Sequence, residues 1–418
     1  MKPFLLALAC LACFSAPAIA QLSCFSYKYQ QELAKDPSQL RSFQQAESFS
    51  QNLLGREFIS GAPTGANGSV NLIRIPVVFH IVYNTSEQNI SDDQVRSQID
   101  ILNKEFRKVH ADTGRIPSAF RELAADTYIE FVLARINPQG YATSGILRKK
   151  TSASGFVNDD KVKFSGSGGD DAWDSDRYLN IWVCRTTMGI YGYSSAPGGP
   201  KPKDGIVLNY TAIGNMGTAT APYNKGRTAV HEVGHWLGLR HIWGDYYCGD
   251  DGIDDTPKQG TPTQGCPSGS LFSCNNSTVA IMYNNYMDLT SDACTNMFTV
   301  GQVAKMRSQF AAGGPRFPLL SSNGATGIPL PDAEPAPDVE EPSIRIFPNP
   351  AANFISINIG AQEALIGKSV TLHNQFGQQV IRKLIAGTVT VLPVSSFKNG
   401  VYYIKIGESA KVYKIVKG

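Results

Sequence analysis

The stretch HEVGHWLGLRH, residues 231 to 241, limits what this chain can fold into more than any other part of it. On a helix, His231 and His235 stand four residues apart and project from one face, one turn above the other. That spacing brings two imidazoles to one zinc ion at roughly 2.0 to 2.1 Å each. Glu232 follows the first ligand directly and is placed to touch a water on the metal, which makes it the candidate general base. Gly238 tolerates the left-handed turn that ends a helix, so the chain can reverse and return His241 as a third ligand. A catalytic zinc ion held by three neutral histidines keeps its charge and one position for water.

The rest of the chain is globular material. Of its 418 residues 42% are apolar and 17% charged, with a net charge of +3. This suits two or three folded units and gives no electrostatic footprint for nucleic acid. The first twenty residues, MKPFLLALACLACFSAPAIA, combine Lys2, a short apolar run and an A-x-A ending, and read as a secretory signal peptide with no transmembrane segment. Residues 21–68 are Gln- and Ser-rich and helical in tone, and are expected to form a prosegment that ends in a loosened stretch. The alternative is a packed helical extension of the mature domain.

Strands are expected at 72–83, 128–136, 178–184 and 205–210, interleaved with helices that begin at Ser91 and Thr299, each with a Gln three residues on as a capping box. The expected architecture is an α/β unit over 69–312 with a mixed twisted sheet. A Pro- and acid-rich linker follows over 313–342, then a small all-β sandwich over 343–418. Once the signal peptide is removed, six cysteines remain, and four of them fall between 248 and 294. In an oxidising compartment these read as two local disulfides, with three pairings open.

The chain resembles the metzincin metallopeptidases, and within them the pappalysin group with its ulilysin-like members. The resemblance spans roughly residues 70–312 and rests on HEVGHWLGLRH, DGIDDTP, NNYMDLTSDACTNMFTVGQVAKM and the four cysteines. It implies a metzincin catalytic domain with an active-site helix and a methionine turn at Met287. It implies the pairings Cys248 with Cys274 and Cys266 with Cys294. Asp292 matches the acid at the base of the pocket for the residue after the scissile bond, which would favour Arg or Lys. Leu289 stands where many metzincins carry a tyrosine able to hydrogen-bond the reacting centre, and leucine cannot donate.

Related enzymes bind calcium near GDDGIDDTP, so Asp251, Asp254 and Thr256 are candidate ligands of a structural Ca2+ ion. In some metzincin proenzymes a prosegment cysteine caps the zinc, the role open to Cys24. A Cys24 to Cys184 disulfide, or two buried thiols, are the alternatives. Gly55 and Arg56 are a candidate maturation site.

The implied activity is zinc-dependent hydrolysis of peptide bonds in proteins by a secreted enzyme, with the substrate antiparallel to an edge strand GIVLNY. A non-catalytic surface adhesin with a zinc-stabilised fold is the rival class. The final unit, with FPNPAANFISI, FKNGVYYIKI and KVYKIVKG, resembles the sorting domain of the type IX secretion system, whose machinery is then an expected partner.

Overall fold

The computed structural model describes residues 24–54, 71–327, 344–360, 362–407 and 412–418. The expected signal peptide, Gly55, Arg56 and residues 328–343 lie outside them.

Two helices open the described chain, α1 (Ser26–Leu33) and α2 (Pro37–Leu54). The α/β unit follows with β1 (Ile73–Tyr83), α3 (Asp92–Phe106), β2 (Ile129–Leu133), β3 (Ile146–Lys150), β4 (Leu179–Cys184), β5 (Gly192–Ser194), β6 (Ile206–Asn209), α4 (Arg227–Trp236) and α5 (Val300–Ser308). Strands β2, β1, β4, β6 and β5 lie side by side in that order, and β3 pairs with the second half of β1. All pairings are parallel except that of β5 with β6.

β1 reads as a nearly unbroken apolar run because both of its faces are covered, as in parallel sheets generally. Ile75, Val77, Phe79 and Ile81 face the main core, where Val95, Leu102 and Phe106 of α3 meet Val230 and Val233 of α4. On the opposite face Val82, Trp182, Cys184 and Val207 form a second cluster, which Tyr29 of α1 completes.

Three sequence expectations change here. β6, the run GIVLNY, is not an edge: β5 covers it and is itself the terminal strand. GYS is too short and too glycine- and serine-rich to announce itself as a strand. Residues 313–327, expected as linker, belong to the α/β unit. Arg316 is ion-paired with Asp204, Leu319 is buried in the core, and Gly324 O accepts from Arg135 N at 2.8 Å. The capping boxes also divide. Thr299 and Gln302 exchange both bonds, whereas the Gln94 side chain turns from Ser91 to Ile213 O and Thr218.

The second unit is all β, with β7 (Arg345–Phe347), β8 (Phe354–Asn358), β9 (Ser369–Asn374), β10 (Gln379–Leu384), β11 (Val389–Pro393), β12 (Gly400–Ile406) and β13 (Val412–Lys417). Sheets β10-β9-β12-β13 and β11-β8-β7 share a core of Ile357, Val370, Leu372, Leu392 and Ile404.

Candidate active site

Helix α4 is wholly buried, and its end is set by glycine. Gly238 has φ +91°, its N–H bonds His235 O at 2.9 Å, and Leu239 N bonds Gly234 O at 3.0 Å. These two bonds make a Schellman turn, with Leu239 as its buried apolar contact. The reversal returns His241 to the helix, 3.1 Å from His235 Nε2 through its own Nε2. His231 Nε2 lies 3.0 Å from the same atom. Beneath them Met287 is fully buried, and a Cβ on Gly234 would fall 2.5 Å from its sulfur, so glycine is required there.

The chemistry of this donor set fits zinc. His231 Nδ1 donates to Tyr286 O at 2.6 Å, His235 Nδ1 to Leu239 O at 2.9 Å, and His241 Nδ1 meets the Asp245 carboxylate. With the protons on Nδ1, three Nε2 lone pairs converge, an arrangement that repels itself unless a cation sits among them. Burial holds the rings neutral, pushing His231 down to about 3 and His235 well below the usual range, with the neighbouring imidazoles adding to both. Neutral imidazole is the form that binds metal. The fourth donor is Cys24 Sγ, 3.5 Å from His235 Nε2, and the four groups form one cluster with ligand atoms within 4.8 Å.

Cys24 and Cys184 are both free buried thiols, so the disulfide between them does not form. Cys184 faces the second core cluster. The pairs Cys248–Cys274 and Cys266–Cys294 are both bonded, in the pairing the resemblance implied.

Glu232 is fully buried, and burial lifts its carboxyl to about 8. Its Oε2 accepts a 2.7 Å bond from Ser26 Oγ, which also accepts from Ser194 N of β5 at 2.8 Å. Phe25 N bonds Gly192 O at 3.1 Å, and Cys24 bridges Gly192 in the parallel sense. The segment from Cys24 to Ser26 therefore occupies the edge strand, the metal cluster and Glu232 together. Sequence reasoning missed Ser26 and Asp245. Asp245, four residues past His241, was open to a spacing argument, whereas nothing in the sequence marked Ser26.

Asp292 is buried beside the same site, in a pocket it shares with Glu232, His231, Thr228, Tyr223 and Leu289. Its Oδ2 accepts from Lys225 N at 2.7 Å and Arg227 N at 3.2 Å, so it also caps α4. Burial raises it to about 6. Arg227 Nη1 holds the Asp292 carbonyl at 2.6 Å while its guanidinium is clamped by Glu105 and Asp112, a buried network no motif announced.

The acidic loop behaves differently. Thr256 Oγ1 donates to both oxygens of Asp251, at 2.8 and 2.9 Å, while Asp254 is exposed. Burial lifts Asp251 to about 7. The structure brings two of the three candidate calcium ligands together and turns the third to solvent.

Fold and site together define a zinc metalloendopeptidase. Residues 165–311 match the family described as pregnancy-associated plasma protein-A, and residues 345–417 match the secretion system C-terminal sorting domain. The chain is 32% identical over 264 residues to an extracellular metalloprotease of Arthroderma benhamiae, covering 60% of this chain and 76% of that one. It belongs to the pappalysin family of metallopeptidases. Among solved structures, mature mirolysin of Tannerella forsythia in complex with a cleaved peptide is 49% identical, with a TM-score of 0.60 over 62% of this chain and 99% of that one. A promirolysin mutant from the same organism is 44% identical, with a TM-score of 0.64 over 71% of this chain and 97% of that one. The protein is accordingly a secreted or cell-surface hydrolase.

Proposed function

We propose that this chain is the latent precursor of a zinc endopeptidase that cuts proteins before Arg or Lys. The observation that carries the latency is Cys24 Sγ among three histidine Nε2 atoms, with Ser26 on Glu232. The larger share of this chain matched by promirolysin than by mature mirolysin supports residues 24–54 as a removable prosegment.

His231, His235 and His241 would hold the zinc ion, oriented by Tyr286 O, Leu239 O and Asp245. When bound, zinc supplies Lewis-acid polarisation of the scissile carbonyl and makes water a better acid. Glu232 takes the proton of the attacking water and delivers it to the leaving amine, and its raised affinity for protons suits both halves of that task. The edge strand β5 offers main-chain hydrogen bonds to a peptide running antiparallel to it, the direction opposite to that of the prosegment. Asp292 faces the residue after the cut, and a guanidinium or ammonium there would replace a lost solvent shell with an ion pair. Leu289 adds apolar wall and no donor.

Asp251 and Thr256 support a structural calcium ion, with main-chain carbonyls completing the set. The sorting domain supports export by the type IX machinery.

The reading is tested by expressing the full precursor, following its processing by intact mass, and profiling cleavage on a peptide library. Cleavage before Arg and Lys that appears as residues 24–54 are lost supports it. A processed enzyme with no basic preference removes the role of Asp292. Full activity of the unprocessed chain removes the latency.

A further inference from the structure

The segment from Cys24 to Tyr29 grips the catalytic unit at three side chains, and the third is outside the metal site. Tyr29 is 2% exposed. Its hydroxyl donates to Asp160 Oδ2 at 3.0 Å and accepts from Lys163 Nζ at 3.2 Å. Its ring lies 5.1 Å from that of Tyr193 on β5, and Lys163 Nζ stands 4.8 Å from the Tyr29 centroid and 5.1 Å from that of Tyr193. Lys163 is itself fully buried, ion-paired with Asp160 at 3.0 Å and donating to Lys203 O at 2.7 Å. The groups that meet the tyrosine ring and hydroxyl, Tyr193, Asp160 and Lys163, all come from the catalytic unit, while Phe25 and Leu33 of the N-terminal segment pack at the margin of the same cluster. Departure of that segment uncovers an aromatic slot with an ion pair at its base, shaped for a phenol.

We propose that this slot is a subsite for a tyrosine side chain of protein substrates, on the side that precedes the scissile bond. This rests on the reading of residues 24–54 as a prosegment that leaves. The side follows from direction. The segment runs parallel to β5 with Cys24 at the metal cluster, so a substrate running antiparallel places its residues before the cut where those after Cys24 now lie. The reach follows from geometry. Two residue steps into α1 and three residues of that helix separate Cys24 from Tyr29, on the order of 10 Å, which an extended peptide spans in about three residues. The hydroxyl decides the class. Phenylalanine would fill the aromatic wall but leave the buried Asp160 and Lys163 without their phenolic partner, a discrimination of about fivefold or more.

The experiment uses the processed enzyme, its loss of residues 24–54 confirmed by intact mass. Peptides that it cleaves are varied with Tyr, Phe and Ala at the second to fifth positions before the scissile bond, and kcat/KM is measured. At one of these positions Tyr should exceed both Phe and Ala by about fivefold or more. In Lys163→Met the Tyr-to-Phe ratio should fall to about one. Where that variant fails to fold, N-acetyl-tyrosinamide should slow cleavage of the Tyr peptide by the unaltered enzyme more than that of the Ala peptide. No preference for Tyr at any position, a preference unchanged in Lys163→Met, or equal inhibition of the two peptides overturns the subsite. Retention of residues 24–54 in the active species defeats the prosegment reading and the subsite with it. Loss of the segment without a tyrosine preference defeats the subsite alone.

Discussion

On one side of Glu232 the site is completed by Cys24 and Ser26, which reach it from more than 200 residues away in sequence. On the other it is completed by Asp292, tied to α4 by two backbone N–H groups and by the Arg227 guanidinium. The Cys24 side is joined to the unit by one short bridge on an edge strand and a few side chains, and farther along through α2, where Glu47 pairs with Lys305 and Ser50 with Ser308. The Asp292 side is fastened by a disulfide two residues away and a buried ion network. On the proposed reading the Cys24 side leaves, and at the site itself it is held by a thiol and a hydroxyl that water and substrate can replace. On the same reading Asp292 discriminates, and its backbone is fixed before substrate arrives, because a loose carboxylate would follow any side chain offered to it.

The largest expected effect removes what the two sides share. Glu232→Ala should lower kcat/KM by about 10³-fold while the protein still folds and retains zinc, measured by metal content on the purified precursor. Such a precursor should also stay unprocessed if maturation is its own work. Activity near that of the unaltered enzyme would remove Glu232 from the chemistry.

Next comes the fastening of the Asp292 side. Replacing Cys266 and Cys294 by serine frees a loop of 28 residues. Chain-entropy reasoning gives about 3 to 4 kcal/mol of lost stability. Denaturant titration measures it, and an unchanged midpoint would mean that the buried network alone holds the wall.

Asp292→Asn keeps an acceptor for the α4 backbone and removes the charge, so helix and pocket should survive. Preference for Arg over Leu after the cut should fall by about 30-fold or more, read as a ratio of kcat/KM values. The same ratio should fall in the unaltered enzyme as pH drops. Burial raises the Asp292 carboxyl to about 6, so it is charged above that pH and loses its charge as pH falls through it. A ratio flat from pH 7.5 to 5 would show that another group reads the basic side chain.

The legible parts of this molecule are those whose partners are close in sequence or spaced by a repeat. His231, His235 and His241 sit within eleven residues, so helical geometry and one glycine were enough to join them. α3 and β1 were legible from periodicity and from a continuous apolar run. Ser26, Lys163 and Arg227 were not, because serine, lysine and arginine are common, and each meets partners that only tertiary folding selects. β5 escaped for a related reason: three small or aromatic residues become a strand only because β6 offers them a partner. The linker boundary failed because Pro and Gly signal loop but not exposure, and Arg316 and Leu319 are buried regardless.

The smallest expected effect, and the sharpest probe of the Cys24 side, is Ser26→Ala. Ser26 Oγ joins Glu232 to Ser194 N, so one hydroxyl fixes both the base and the edge strand where a substrate would lie. If Cys24 alone kept the precursor silent, the alanine would change nothing. If the hydroxyl holds Glu232 away from water, the unprocessed precursor should leak about fivefold more activity, the value of one hydrogen bond. Cys24→Ala should leak more, since it frees the fourth donor position at the metal. Initial rates on a small peptide, taken before any mass change in the chain, separate the two. A Ser26→Ala precursor as silent as the unaltered one, beside an active Cys24→Ala precursor, would leave the thiol as the whole latch and return Ser26 to packing.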